Sequence, residues 1–271
     1  MNNFFEFKNQ TEESSDLFIY GDIISDEEAR WYESDVSVKG FKEGLDSVRD
    51  GSTLNLYINS GGGSVFAASS MVNMLKRAKG TKNLKVIAYI DGLAASAASL
   101  FPFAADEAHV YTNSMLMIHK PSITYFLTSM NANDLRHEAE TLDKIEESVL
   151  LTTYMSMVKD GTTETQMSHL INKETWFSAD EIVEKFGFIK EESEKKVENF
   201  TSKFFDEYKH VPERFRPAKE DPKDEAPEDT EESKVDNSDE QGSDVDPGVD
   251  EIYSSDISIA KTQIMQMKKE I

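Results

Sequence analysis

Two short apolar segments separated by one amphipathic segment constrain the fold of this chain most strongly. Residues 54–59 (LNLYIN) and 84–90 (LKVIAYI) are bounded and rich in β-branched and aromatic residues, which is typical of buried strands. Between them, residues 65–79 carry apolar side chains at helical spacing. A strand–helix–strand unit pairs its two strands in parallel, so that their carboxyl ends meet at one edge of the sheet. Active sites of open α/β sheets lie at that edge.

Small residues follow each of these predicted strands, and we interpret both sets as turns. Gly61-Gly62-Gly63 follows the first strand, and Gly92-Leu93-Ala94-Ala95-Ser96 follows the second. The glycines expose backbone amides at the start of a helix, where a phosphate or an oxyanion can bind. The chain lacks the Gly-Lys-Ser/Thr of a P-loop and the G-x-G-x-x-G of a dinucleotide fold here, so nucleotide binding is disfavoured. An oxyanion hole and a plain tight turn both stay open.

Ser96 is a candidate nucleophile. It is flanked by alanines and begins a predicted short helix that reaches to about Phe103, and a helix N-terminus favours developing negative charge. A packing serine is the alternative interpretation. A serine hydroxyl needs a base to become a nucleophile, and His119, which ends the predicted strand 114–119, is the best placed of the five histidines. Local reasoning does not select the acid that would orient this base.

The other predicted elements place these residues in one α/β domain. They are a strand at 16–23, a helix that begins at the capping box of Ser25 and resumes over 41–48, a strand at 108–113, helices at 133–158 and 163–172, an extended segment at 174–177, and a helix from the capping box of Ser178 to Gly187. The helix 133–158 would be about 38 Å long, so we expect it to protrude and to offer its apolar stripe to another subunit.

Composition limits the classes of partner. The 271 residues are 38% apolar, which supports a real core, and acidic residues outnumber basic ones by 52 to 29. We therefore expect no nucleic acid and no membrane surface as partners. The absence of cysteine excludes disulfides and thiolate metal sites and fits a reducing, cytoplasmic location. The N-terminus does not resemble a signal peptide, and no apolar run is long enough to span a bilayer.

The C-terminal part differs in composition from the rest. Residues 217–251 contain fifteen acidic residues against three lysines and few apolar ones, which predicts disorder. Residues 252–271 place apolar side chains at the 3-4 spacing of a short coiled coil, although a loosely helical tail explains them equally well. We therefore predict a folded domain over 1–200, a disordered acidic linker over 201–251, and a short amphipathic helix over 252–271.

Three blocks of the sequence resemble those of ClpP-type serine peptidases. They are YINSGGG at 57–63, GLAAS at 92–96 and MIHKP at 117–121, and the segment 178–188 is similar to the family's closing helix. The blocks stand in the family's order within residues 16–192. The resemblance implies an α/β fold of the ClpP/crotonase type, built from repeated β-β-α units with a protruding helical handle. The predicted helix 133–158 fits that handle, and the disordered acidic tail would follow.

The resemblance also implies roles for individual residues. Ser96 would be the nucleophile and His119 the general base. Glu174 stands where the family usually has an aspartate, so it would orient His119 with a side chain that is one methylene longer. No cofactor and no metal are implied.

Five further positions follow from the same blocks. The backbone N–H groups of Gly62 and Ala97 would form the oxyanion hole, where one lost donor costs about 3 kcal/mol. Gly63, Ser64 and Pro121 would contact the substrate.

Partners and biological role are also expectations from the resemblance. We expect a homo-oligomeric ring, a heptamer or a double heptamer, that acts on protein substrates. The acidic tail is similar to extensions of phage-encoded members, which favours cleavage of phage capsid or scaffold proteins, in the bacterial cytoplasm or within the procapsid. A housekeeping subunit served by a separate AAA+ ATPase, a crotonase-type acyl-CoA enzyme and an inactive scaffold are the alternatives.

Overall fold

A computed structural model describes residues 7–8, 11, 13–25, 34–123, 128–193 and 202–215 of the chain. The chain divides into two units after Lys219, and all described residues lie in the first unit. Three predictions lie outside the described residues: the helix that begins after Ser25, the acidic linker beyond residue 215, and the amphipathic helix over 252–271.

The secondary structure alternates strands and helices. The strands are β1 (Phe7–Lys8), β2 (Ser14–Ile19), β3 (Ile23–Ile24), β4 (Val36–Ser37), β5 (Thr53–Ser60), β6 (Lys85–Ala95), β7 (Glu107–Tyr111), β8 (Met115–Ile118), β9 (Thr175–Ser178) and β10 (Ile189–Glu191). The α-helices are α1 (Val38–Ser47), α2 (Val65–Lys82), α3 (Ala132–Ile145), α4 (Thr152–Met155), α5 (Glu164–Asn172) and α6 (Ala179–Phe186). A π-helical segment, Glu146–Leu151, joins α3 to α4, and 3-10 segments occur at Ser96–Leu100, Pro102–Ala104, Lys203–Asp206 and Glu213–Phe215.

The sheet is mostly parallel, as the strand–helix–strand pattern predicts. Its order is β1-β2-β5-β6-β7-β10, and β8 joins the carboxyl end of β6 and carries β9. Strands β2, β5, β6, β7 and β10 run in parallel, whereas β1 and β9 are antiparallel to their neighbours. The predicted α/β fold class is therefore confirmed.

Strand β6 is longer than the sequence predicts, and the turn predicted at Gly92–Ala95 is wrong. Ile87–Ile90 pair with β7, whereas Leu93–Ala95 pair with β8. Between these two stretches the register of β6 with β5 shifts. Ile58 of β5 lies opposite Ile90, whereas Ser60 lies opposite Ala94. The Asn59 side chain accepts a hydrogen bond from the Leu93 amide there, at 3.2 Å, and so pairs a buried backbone group. Only at Ser96 does the chain turn.

Helix α2 confirms the amphipathic segment and fixes the glycine turn. The Ser64 side chain caps its N-terminus by accepting from the Ala67 amide, and Asn83 in a left-handed conformation ends it. Its buried face, which includes Met71 and Leu75, packs into a core of apolar residues from the sheet.

The predicted long helix forms as one run of helical segments from residue 132 to 155, ending three residues early. Leu135 near its start is 57% exposed, whereas Ile145, Leu150 and Tyr154 are buried in the body. We expected the apolar stripe of this helix to pack against another subunit. That expectation is wrong for the second half of the run, whose apolar side chains are buried in the body. A π segment shifts the helical register between the two halves. Among the described residues, no helix has the length and apolarity that crossing a bilayer requires.

Residues 202–215, which we call the strap, fall within the predicted linker but pack against the body. Phe205, Tyr208 and Val211 are 6–7% exposed and form a cluster with Leu93, Ala95 and Met117 of strands β6 and β8. The linker boundary at residue 201 therefore needs correction for this segment. The physical reason is local, because the strap has aromatic side chains and its acidic residues are few compared with residues 217–251.

Candidate active site

Ser96 stands at the carboxyl end of β6, where the chain enters a 3-10 segment. Its φ is +51°, a left-handed conformation that costs a residue with a Cβ about 1–3 kcal/mol. Two hydrogen bonds stabilise this conformation: Ser99 Oγ donates to the Ser96 carbonyl at 2.5 Å and pairs with the Tyr154 hydroxyl at 2.7 Å. A strained serine between a strand and a helical turn presents its hydroxyl at the sheet edge, as nucleophile elbows do.

His119 follows β8 directly and meets this serine. Strands β6 and β8 pair Ala95 with Met117, which brings the residues just beyond their ends together. The Ser96 Oγ and His119 Nε2 atoms lie 2.6 Å apart, within the reach that proton transfer requires. The two residues chosen from the sequence therefore form a hydrogen-bonded pair.

Glu174 directly precedes β9, on the far side of β8. The antiparallel register pairs Ile118 with Thr175, so His119, which follows Ile118, lies beside Glu174, which precedes Thr175. Its carboxylate, however, bonds elsewhere. It accepts from the Trp176 indole at 3.2 Å, the Lys209 amide at 2.9 Å and the His210 amide at 2.7 Å. Within the described part of the chain, no hydrogen bond joins Glu174 to His119.

The electrostatics of the pair follow from burial and charge. Burial lowers the pKa of His119 below its usual value, and the negative charge of Glu174 opposes this shift without reversing it. Burial tends to raise the pKa of Glu174, but the two strap amides and the Trp176 indole outweigh it, so that this pKa is lowered. At neutral pH the site therefore combines a neutral imidazole with an ionised carboxylate.

The glycine turn approaches Ser96 closely. A Cβ on Gly62 would lie 2.8 Å from the Ala95 carbonyl oxygen and from the Ser96 Cβ, so only glycine fits there. The Gly62 amide itself donates to Ser60 Oγ at 3.1 Å. The sequence assigns this N–H to the oxyanion hole, but in this geometry it is already bonded to Ser60 and is not available to an oxyanion. Gly62 therefore shapes the turn.

The next amide, that of Gly63, is better placed to bind an oxyanion. Ile23 bonds to both of its neighbours, because the Ile23 amide donates to the Gly62 carbonyl and the Ser64 amide donates to the Ile23 carbonyl. In parallel pairing, the residue between two such bonds directs its own N–H to the opposite side. Gly63 lines the cleft together with Ser96 and Ala97, and Ala97 is the second residue of a 3-10 segment whose first amides have no helical acceptor.

The cleft beside Ser96 has a volume of about 520 Å³. Its lining includes the three predicted substrate contacts, Gly63, Ser64 and Pro121. Apolar side chains from α2 and from the loop after β8 also line it, among them Phe66 at 66% and Ile123 at 38% exposure. Exposed apolar side chains beside a nucleophile suit an extended peptide with apolar side chains.

Sequence reasoning missed the strap. Tyr208 lines the cleft, and its ring meets the His119 ring edge-on with centroids 5.1 Å apart. Two strap amides also hold the Glu174 carboxylate. The available signal was the aromatic content of residues 204–215, which is out of place in a disordered linker.

A strained serine in contact with a neutral histidine, beside backbone amides and an apolar cleft, is the arrangement that serine hydrolases use. The sequence model of the Clp protease family matches residues 40–196, more than half of the chain, and this range contains Ser96, His119 and Glu174. The chain therefore belongs to the Clp protease family and is a ClpP-type peptidase. Members of this family form oligomeric rings and act on protein substrates. A search of curated proteins found no significant match to the chain.

Proposed function

We propose that this protein is a serine endopeptidase in which Ser96 is the nucleophile and His119 the general base. The observation that carries the proposal is the 2.6 Å contact between Ser96 Oγ and His119 Nε2, at a serine held in a left-handed conformation. Of the alternatives, a crotonase-type acyl-CoA enzyme has no need of this pair. An inactive scaffold has no need to maintain a strained serine.

In the proposed reaction, Ser96 Oγ attacks the carbonyl carbon of the scissile peptide bond while His119 Nε2 takes the hydroxyl proton. The bond to the leaving amine then breaks, the amine receives the proton from His119, and the substrate acyl group stays on Ser96. A water molecule repeats the two steps and releases the second product. The lowered pKa of His119 supports this role, because the base must be neutral before it can accept a proton.

The oxyanion that forms in each step needs amide donors. We assign these to Gly63 and Ala97, since the Gly62 amide is bonded to Ser60. Glu174 acts on His119 through its charge. It stabilises the imidazolium that forms during the reaction, and the strap holds its carboxylate in position.

Covalent labelling tests the proposal directly. The purified protein is treated with a fluorophosphonate, and the adduct is mapped by peptide mass spectrometry. We expect one adduct on Ser96 that is lost in Ser96→Ala and strongly slowed in His119→Ala. Circular dichroism shows whether each variant is folded. A folded wild-type protein that gains no adduct contradicts the proposed peptidase.

We further propose that the substrates are phage head or scaffold proteins that are cut during capsid maturation, in the host cytoplasm or inside the procapsid. The support comes from the sequence: an acidic segment over 217–251, apolar heptad spacing over 252–271, and glutamate at position 174. The body would cut these proteins while the C-terminal segment tethers it to the assembling shell. A ring of identical subunits, which the exposed Leu135 of α3 would help to join, fits this role.

Deletion of residues 217–271 separates this role from that of a housekeeping peptidase. If the tether proposal is right, the deleted protein keeps its reactivity toward fluorophosphonate but no longer co-assembles with capsid protein. Unchanged co-assembly rejects the tether. A requirement for a separate ATPase in cleavage of folded proteins would instead favour the housekeeping role.

A further inference from the structure

The strap contacts the glycine turn, His119 and Glu174 of the candidate active site. Its cluster with Leu93, Ala95 and Met117 lies against the strand residues that precede Ser96 and His119. At its start, the Ser202 hydroxyl donates to Asp22 Oδ1 at 2.7 Å, and at its centre two amides donate to Glu174. A segment that only continued into a linker would have no reason to bury polar groups in this way.

Tyr208 makes the central contacts of the strap. Its hydroxyl donates to the Gly61 carbonyl at 2.6 Å, which anchors the peptide group between Gly61 and Gly62. The same hydroxyl would lie 3.1 Å from a Cβ on Gly62, next to Ser96. Burial raises the pKa of Tyr208, so the hydroxyl stays protonated at neutral pH and can donate to the Gly61 carbonyl.

The ring of Tyr208 acts on the general base. It stands nearly perpendicular to the His119 ring, at 69°, and it is 6% exposed, so it shields one side of the imidazole from water. The groups that face His119 are Ser96 directly after β6, Glu174 directly before β9 and Tyr208 on the strap. From the strap, His210 also approaches Glu174, with its Nδ1 3.6 Å from Oε1.

We propose that Tyr208 is a positioning residue of the active site, with two separable actions. Its hydroxyl fixes the glycine turn that carries the Gly63 amide, the proposed oxyanion donor. Its ring shields the His119 imidazole from water and keeps it oriented toward Ser96. The strap that carries Tyr208 is therefore part of the peptidase and not the start of the tail. This inference rests on the proposed function and extends it to a residue outside the segment that matches the Clp protease family.

The rate of fluorophosphonate labelling tests both actions in the full-length chain. In this reaction Ser96 Oγ bonds to phosphorus as fluoride leaves, and the hydroxyl proton passes to His119. Tyr208→Phe removes the bond to Gly61 and keeps the ring, so we expect labelling about three- to tenfold slower, the range set by one lost hydrogen bond, with an unchanged pH dependence. Tyr208→Ala also exposes His119, so the acidic limb of the pH profile moves up toward the ordinary histidine value.

Two controls separate positioning from stability. Tyr57→Phe deletes the hydroxyl of a half-buried tyrosine on β5, and Leu45→Ala weakens the core through α1. We expect both variants to keep the labelling rate and its pH profile, although Leu45→Ala lowers resistance to urea. His210→Asn removes the second imidazole near Glu174 and leaves the acidic limb in place. Urea titration shows whether Tyr208→Ala is folded, and Tyr208→Phe keeps the test valid if it is not.

The outcomes distinguish the two proposals. A wild-type protein without an adduct on Ser96 rejects the proposed function and this inference together. A wild-type protein that reacts, with Tyr208→Phe reacting within twofold of the same rate, rejects only the action of the hydroxyl. An acidic limb that stays in place in folded Tyr208→Ala rejects the action of the ring.

Discussion

His119 and Glu174 face each other across the register of β8 and β9, yet the carboxylate of Glu174 is bonded to the strap. The two residues interact through charge alone in the described structure. This arrangement departs from a triad in which the acid bonds directly to the base. It makes the contribution of Glu174 depend on three donors that Trp176, Lys209 and His210 supply.

Glu174→Gln should therefore have a moderate effect on the reaction. Loss of an acid that bonds directly to the base costs about 10⁴-fold in rate, whereas we expect about tenfold here because only a charge is lost. The negative charge of Glu174 raises the pKa of His119, so its removal lowers that pKa further and moves the acidic limb of activity to lower pH. The pH dependence of labelling measures both effects. A loss near 10⁴-fold would show that Glu174 bonds to His119 during the reaction.

Ser60→Ala should weaken both the fold and the site. Ser60 is fully buried, and its hydroxyl donates to the Gly21 carbonyl while accepting from the Gly62 amide. Removing it leaves buried backbone groups unpaired, which should lower the free energy of unfolding by about 1–3 kcal/mol. Labelling of Ser96 should slow because the glycine turn is released. Urea unfolding and labelling rates measure the two effects, with the exposed Ser156→Ala as the control; equal values for both variants would contradict this account.

Tyr154→Phe should lower stability more than it lowers activity. The Tyr154 hydroxyl is buried and pairs with Ser99 Oγ, which in turn donates to the Ser96 carbonyl. We expect a loss of about 1 kcal/mol in the free energy of unfolding, the usual value of one buried hydrogen bond. Thermal and urea unfolding give the number, and Tyr89→Phe on the half-exposed sheet face is the matched control. Identical stability of the two variants would mean that this bond contributes nothing.

Leu135→Gln should weaken the proposed ring without affecting the subunit. Leu135 on α3 is 57% exposed, so a polar side chain costs the isolated subunit little. At each interface of the ring, however, the substitution removes buried apolar surface, and this lowers the stability of the whole assembly. Sedimentation velocity over a range of concentrations should show earlier dissociation for Leu135→Gln than for Glu138→Gln on the same helix. Coincident profiles would place the interface elsewhere.

The sequence predicts those features of the site that depend on local patterns. Ser96 and His119 follow strands with clear apolar patterns, and parallel pairing alone brings strand ends together. Residue 174 could be assigned only by resemblance, since many carboxylates were available. The register of β8 and β9 now supplies the physical reason, because it sets Glu174 beside His119.

The remaining features depend on pairing between distant segments, which no local pattern reveals. The extension of β6 through Ala95 requires β8 as a new neighbour, and small residues alone favour a turn. Gly62 and Gly63 are equivalent in sequence, and only the bonds to Ser60 and Ile23 distinguish them. In the 132–155 helical run, the sequence does not distinguish apolar side chains that are buried within the subunit from apolar side chains that form an interface between subunits, because both sets have the same spacing.

The order of the site along the chain has a consequence for newly made protein. Ser96, His119 and Glu174 all leave the ribosome before Tyr208, and domains begin to fold from the N-terminal side during synthesis. A nascent chain therefore contains Ser96 and His119 while the glycine turn and the carboxylate still lack their bonds to the strap. If Tyr208 acts as we propose, the strap, which is the last described segment to be translated, completes the site, and full reactivity is delayed until it has been made.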